Sequence, residues 1–490
     1  MALVTTFVTT PVVSYLYPPS YQIKVERWRR GEIDWEGNVL DSEHDPHSGA
    51  DSISRQKSQG ASVRKLMIYL RLDSLPSLFT FVSLLGAGDR PDPVASRTHH
   101  AHTNNNNDGE DGEEAEGRRP ESARRANIRP IEVHAVRLVE LTDRDSSVMK
   151  VSEVQDSNYS FSDPILNAFR TFGQLYKVAV SGGVVIAPEH AYAETLVNKA
   201  RDCASDLVLV PWSETGGMSE RQIPLLDDKS EKFSTGPHSS FIFNILKNSR
   251  SNVGIFINKG FGGAGLARPK PGEISRTFSG HNTYRTNDLA MSPSPDRGHH
   301  IFMPYFGGPD DHFALRLVLQ LANNSSITAT IAYMNVINNA PTPPQQQQQE
   351  KDADETFYRS IRDSVPPELR PRVVFQTVDC ASSSASCNAL LATTRETAAQ
   401  DLAQSTSSSN GNLVVVGRNS LAMNTPAPAA AAATGSPSVA PRPSSSSAAS
   451  ASASPEFGHE AKKAIGVLGE AMAGKAYGID ASVLIVQASH

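Results

Sequence analysis

The run HIFMPYFGGPDDHFALRLVLQLA, residues 300–322, sets a strand, a glycine turn and a helix in direct succession, and few folds accept that order. Ile301, Phe302, Met303, Tyr305 and Phe306 form a short apolar run of the buried-strand kind, which Gly307, Gly308 and Pro309 end abruptly. A helix is expected to start there. Asp310 and Asp311 fall in its first turn, where carboxylates suit the positive end of the helix dipole, and Phe313, Leu315, Leu317, Val318 and Leu321 supply its apolar face. This is one β-turn-α unit of an α/β fold.

The same alternation runs along the chain on both sides. Before it, strands are expected at 65–72, 132–141, 182–187, 206–211 and 252–258, with helices at 75–85, 164–172, 188–204 and 239–247 between them. After it come strands at 326–336, 373–378, 412–417 and 482–487, and helices at 352–365, 387–403 and 456–472. Residues 338–349, ending in five glutamines, read as a polar turn. The two halves match in order: YLRLDSLPSLF with MPYFGGPDDHF, DLVLVPW with NLVVVGR, VGIFINK with SVLIVQA, at an offset of roughly 210 to 240 residues. Five strands separated by helices imply parallel pairing, right-handed crossovers and helices on both faces. The expected fold is therefore α/β, with two tandem five-stranded parallel-sheet domains, one at 64–260 and one at 300–490, joined by a linker at 261–299. Residues 87–129 and 424–455 are too polar or too low in complexity for a core and read as disordered insertions.

Residues 1–17 carry no charge and are followed by Pro18 and Pro19. Seventeen helical residues reach only about 25 Å, short of a hydrocarbon core of about 30 Å, so the stretch reads as the end of a transmembrane helix, with a buried amphipathic arm as the alternative. Residues 18–63 then form a basic juxtamembrane segment and linker, with Lys24, Arg27, Arg29 and Arg30 beside Trp28 and Trp35. The net charge of −6 gives no footprint for nucleic acid. Cys203, Cys380 and Cys387 match no zinc or redox spacing and read as reduced thiols.

FGGPDDHFALRLVLQLA, LVVVGR, LYPPSYQIKVERWRRGEIDWEG and KLMIYLRLDSLPSLFTFVSLLG together resemble the cytosolic tail of fungal potassium/proton antiporters and of plant cation/proton exchangers in the cation:proton antiporter-2 class. The resemblance covers most of the ordered pattern. It implies tail domains similar to universal stress proteins, on the cytoplasmic side of an endomembrane, regulating a transporter that exchanges potassium for protons. A membrane contact through the N-terminal segment, and a homodimer as a candidate assembly, go with it. The intramembrane carboxylates of that family's transport core have no counterpart here, so the expectation is a regulatory region, as a truncation or a free tail.

Universal stress proteins often hold ATP in glycine-rich loops after the fourth strand, so the resemblance directs attention beyond Pro211 and Gly417. PWSETGG offers only Gly216 and Gly217. Gly417, Arg418, Asn419 and Ser420 are better placed, since glycine permits close approach, arginine can contact phosphate and serine can donate. Asp310 lies at the strand-to-helix edge where α/β sheets bind ligands, as a nucleotide contact or, more simply, a helix cap; Asp73 shares that ambiguity. An adenine nucleotide is thus the one cofactor implied. Gly260, Gly262, Gly263 and Gly265 open no clear helix and lack the context of a phosphate loop. His99, His100 and His102 have no carboxylate or cysteine at ligand spacing, so no metal is expected. With no Ser/His/Asp order or paired-carboxylate element, no enzyme activity is expected either.

Overall fold

The computed structural model describes residues 62–86, 98–103, 131–140, 163–176, 178–213, 216–218, 236–261, 298–337, 345–381, 387–405, 411–420, 457–474, 479 and 481–489. The expected transmembrane end at 1–17 and nearly all of 18–63 lie outside them. Among the described residues, no helix is long and apolar enough to cross a membrane.

Among the described residues, ten strands form one sheet: β1 (Lys65–Tyr69), β2 (Glu132–Glu140), β3 (Ala179–Ala187), β4 (Leu207–Pro211), β5 (Asn252–Ile257), β6 (His299–Tyr305), β7 (Ile327–Ile337), β8 (Val373–Ala381), β9 (Asn412–Gly417) and β10 (Ser482–Gln487). Their spatial order is β3-β2-β1-β4-β5-β10-β9-β6-β7-β8. Read outward from the middle, each half repeats the same five-stranded order, and pairing within each half is parallel. This is the mixed α/β class that the alternation predicts.

The halves are not separate sheets. β5 and β10 pair antiparallel, with Ile255 opposite Ile485 and Phe256 opposite Leu484, so one sheet runs through the whole fold. Both strands are apolar on both faces, and left unpaired each would expose a row of backbone donors and acceptors. Side chains reinforce the joint: Gln487 Nε2 donates to Leu246 O at 2.9 Å, and Lys259 N donates to Ser482 Oγ at 2.9 Å.

The helices are α1 (Leu75–Gly86), α2 (His100–Thr103), α3 (Pro164–Leu175), α4 (Tyr192–Asp202), α5 (Gly236–Asn248), α6 (Pro309–Ala322), α7 (Gln345–Asp363), α8 (Cys387–Gln404) and α9 (His459–Ala473). Strand alternation sends Leu66, Ile68, Leu207, Leu209, Ile301, Met303 and Tyr305 to one face, packed with residues of α1, α3, α6 and α7. Met67, Tyr69, Val208, Val210, Phe302, Val414 and Val416 point to the other, with α4, α5, α8 and α9. Each core is continuous across both halves, with α1 against α6 on one face and α5 against α9 on the other.

Two expectations need correction. α7 begins at Gln345, inside the glutamine run read as a turn, because glutamine is a good helix former and needs no apolar period to extend a helix. Residues 98–103, inside the stretch read as a disordered insertion, are placed against the second half: His99 is 1% exposed and its N–H donates to Pro371 O at 2.8 Å.

Candidate functional site

In each half the chain runs to one side of its first strand and then returns to the other, leaving a crevice at the carboxyl ends of the first and fourth strands. In the second half that crevice lies beyond β6 and β9. The loop after β6 carries Gly307 and Gly308, with φ of 106° and 89°, a backbone that side chains other than glycine's rarely adopt. This turn delivers Asp310 and Asp311 at the start of α6 directly to the loop after β9, and both are buried.

The loop after β9 sets Gly417, Asn419 and Ser420 against Asp310 and Asp311. Asp310 Oδ2 accepts from both the N–H and the Nδ2 of Asn419, each at 3.0 Å, and Oδ1 accepts from Ala488 N at 2.8 Å. Asp311 Oδ1 accepts from Ser420 Oγ at 2.6 Å, while Oδ2 accepts from Phe306 N at 2.8 Å and Gly307 N at 3.1 Å. Gly417 passes so close that a Cβ there would sit 2.3 Å from Asp311 Oδ1 and 2.5 Å from Ser420 Oγ. Burial pushes Asp311 up to about 7, against the hydrogen bonds from Ser420, Phe306 and Gly307, which favour its charged form.

The roles differ from those expected. Asp310 is no helix cap: the cap position of α6 is Gly308, and Asp310 instead ties α6 to the ends of β9 and β10. The Arg418 guanidinium is taken up by the protein itself: its Nε donates to Ala464 O at 2.9 Å, Nη1 to Gln487 Oε1 at 2.8 Å and Nη2 to Lys463 O at 2.6 Å. Asp354, on α7, closes the turn by accepting from Gly308 N at 3.1 Å, with His312 Nε2 2.8 Å from its other oxygen.

The crevice of the first half, beyond β1 and β4, is filled by the opposite charge. Arg71 is 1% exposed. Its Nε lies 3.1 Å from Asp73 Oδ1, and it donates through Nη2 to Ser213 Oγ and through Nη1 to Met218 O, each at 3.1 Å. Burial works against its charge, but Asp73 and Tyr69 outweigh it and hold the guanidinium pKa above its ordinary value. Asp73 is thus an ion-pair partner.

One cluster is only partly visible in the sequence, through the neighbouring His99 and His100. His99, His100, His300 and Asp401 each place a possible ligand atom within 4.8 Å of the others. His300 Nε2 lies 2.7 Å from Asp401 Oδ2, His99 Nε2 lies 2.8 Å from Thr330 Oγ1, and Thr330 Oγ1 donates to Asp401 Oδ1 at 2.7 Å. Burial, then the neighbouring imidazoles of His100 and His300, lower His99 to about 3. Burial alone would raise Asp401, but hydrogen bonds and charge from His300, with help from Thr330, bring it below the usual carboxylate range. His99 and His100 are neighbours, but His300 and Asp401 are 101 residues apart and both lie far along the chain from that pair, so local spacing cannot reveal the full set.

Residues 133–261 match the plant cation/H(+) antiporter domain. Cation/H(+) antiporter 15 of Arabidopsis thaliana is 26% identical over 215 residues, covering 41% of this chain and 21% of the relative. Cation/H(+) antiporter 18 of the same plant is 23% identical over 340 residues, 68% of this chain and 31% of its own length. The chain therefore spans less than a third of these relatives. Among solved structures, a universal stress protein from Archaeoglobus fulgidus aligns over 86% of this chain and 95% of its own at 10% identity, with a TM-score of 0.32. A Pseudomonas aeruginosa protein of unknown function aligns over 88% and 94% at 11% identity, with a TM-score of 0.34. In sequence, the chain is similar to plant cation/proton antiporters.

Proposed function

We propose that this chain is the cytoplasmic regulatory region of a monovalent cation/proton antiporter, with potassium as the cation, and that it carries no enzymatic activity of its own. The observation that carries the reading is the match to a named antiporter over 340 residues, a length that must reach into both halves of the sheet yet covers only 31% of the relative. In this reading an ion path belongs to the transport core, and the sheet passes a regulatory signal to it through the basic segment at 18–35. Membrane attachment through the N-terminal residues, an endomembrane location and a homodimeric assembly are part of the same proposal.

The alternative is a soluble stress-type protein that binds an adenine nucleotide through Gly417–Ser420 and Asp310. Charge stands against it. A phosphate at this loop would compete with Asp310 for the Asn419 N–H and would lie beside two buried carboxylates.

Two measurements test the proposal. Potassium-dependent proton flux is compared in vesicles for a related antiporter core lacking its own tail and for the same core carrying this chain. A change in the pH or potassium dependence of flux is expected, and superimposable curves would overturn the regulatory role. Calorimetry with ATP and AMP should give no binding heat; a saturable heat lost in Asn419→Ala would favour the alternative.

A further inference from the structure

The geometry points to a transition-metal site built by His99, His100, His300 and Asp401, which would pin the segment at 98–103 to the second half of the sheet. The donors come from three places: the stretch between α1 and β2, strand β6 and helix α8. His300 and Asp401 are almost fully buried, at 1% and 8% exposure, and His100 remains partly open at 14%. Three imidazoles and one carboxylate form a borderline donor set that suits a four-coordinate zinc-class ion, and it is a poor set for magnesium or calcium, which take oxygen ligands.

The surrounding polar groups fit that role. Thr328 Oγ1 lies 2.8 Å from His300 Nδ1 and can accept its N–H, which leaves Nε2 as the ligand atom, already turned toward Asp401. Thr330 Oγ1 donates to one oxygen of Asp401 and leaves the other for the ion. Metal-bound histidines and carboxylates are commonly held by such outer hydrogen bonds. Loading requires the His99 ring to exchange its contact with Thr330 Oγ1 for the ion. It also requires the Ala101 N–H, now 3.1 Å from His99 Nδ1, to turn to water, which its exposed position allows. Ligands at about 2.0–2.1 Å from zinc stand closer together than the present spread, so the rings draw inward on binding. The ion would join a segment of the first half's sequence to β6 and α8 of the second, a cross-link independent of the β5–β10 pairing.

The test uses the full chain, stripped by chelator dialysis and titrated with Co²⁺ alone. Visible absorption of four-coordinate intensity should rise to one equivalent and be displaced by Zn²⁺. Asp401→Asn and His300→Gln should each weaken binding by more than about tenfold. His100→Ala, on the partly exposed segment, guards against a simple folding defect: it should fold as the parent does, lose the cobalt spectrum and lose the rise in Tm that Zn²⁺ gives the parent. His102→Ala should leave both unchanged. No four-coordinate cobalt spectrum in the parent, unaltered binding in His100→Ala and Asp401→Asn, or an equal loss in His102→Ala would overturn the site, the last by showing only a loose histidine-rich stretch.

Discussion

Asp310 and Asn419, 109 residues apart, are joined twice through a single oxygen: Asp310 Oδ2 accepts from the Asn419 backbone N–H and from its side-chain Nδ2, both at 3.0 Å. A position where a ligand phosphate was expected is thereby held by the protein's own carboxylate, and the loop after β9 is fixed to the helix after β6. Removing that carboxylate leaves these donors and the Ala488 N–H, all in a part-buried setting, without their acceptor. Asp310→Ala should lower stability by about 1–3 kcal/mol in urea or thermal unfolding, with little change in the cooperativity of the transition. A shift within measurement error would show that water replaces the carboxylate at no cost.

Asp311 gives the fold a pH dependence of definite sign. Its folded pKa, about 7, lies above the ordinary 3.8, so between these values the folded chain holds a proton that the unfolded chain has lost. Its contribution is fully present below about 3.8 and is lost as pH rises to about 7. His99, depressed to about 3, acts in the opposite sense over part of that window. The difference between parent and Asp311→Asn isolates the aspartate: the variant should be less stable at pH 4, and the gap should narrow toward pH 7. A gap that widens with rising pH would reverse the assignment.

Gly417→Ala should be destabilising, because its Cβ would fall 2.3 Å from Asp311 Oδ1 and 2.5 Å from Ser420 Oγ, both buried and hydrogen-bonded to each other. A cost of about 1–3 kcal/mol is expected from overpacking. Gly236→Ala, where a Cβ meets nothing within 4 Å, is the matched control and should be neutral or slightly stabilising. Equal effects at the two positions, measured by chemical denaturation, would contradict the close packing at Gly417.

Arg71→Lys tests the first half. Lysine keeps the charge and loses the planar fork that reaches Asp73, Ser213 and Met218 together. Breaking a fully buried pair costs roughly 3–5 kcal/mol. Because Asp73 remains 16% exposed, Arg71→Met should fall below that range, with Arg71→Lys smaller still. An Arg71→Met variant as stable as the parent in thermal unfolding would show that packing alone holds this crevice.

Much of this architecture is legible in local pattern. β9 and β10 fall where their apolar runs predict, at 412–417 and 482–487, because a buried parallel strand must be apolar on both faces. The order of elements repeats in each half, and the residues that gather at the second crevice follow from that order. Their roles do not follow from it. An asparagine and a serine after a fourth strand look alike in sequence whether their donors face a phosphate or a carboxylate, and only the placement of Asp310 and Asp311 by the Gly307–Gly308 turn separates the two.

The sequence by itself determined the α/β alternation and the repeated order of elements, since each is written in neighbours a few positions apart. Tertiary structure alone decided three things: that β5 and β10 join the halves antiparallel, that the crevices are closed by Arg71 and by the two aspartates, and that His99 and His100 meet His300 and Asp401. The physical reason is common to all three. Each depends on contacts between residues separated by tens to hundreds of positions, and such contacts leave no period or spacing in the chain for a local reading to find.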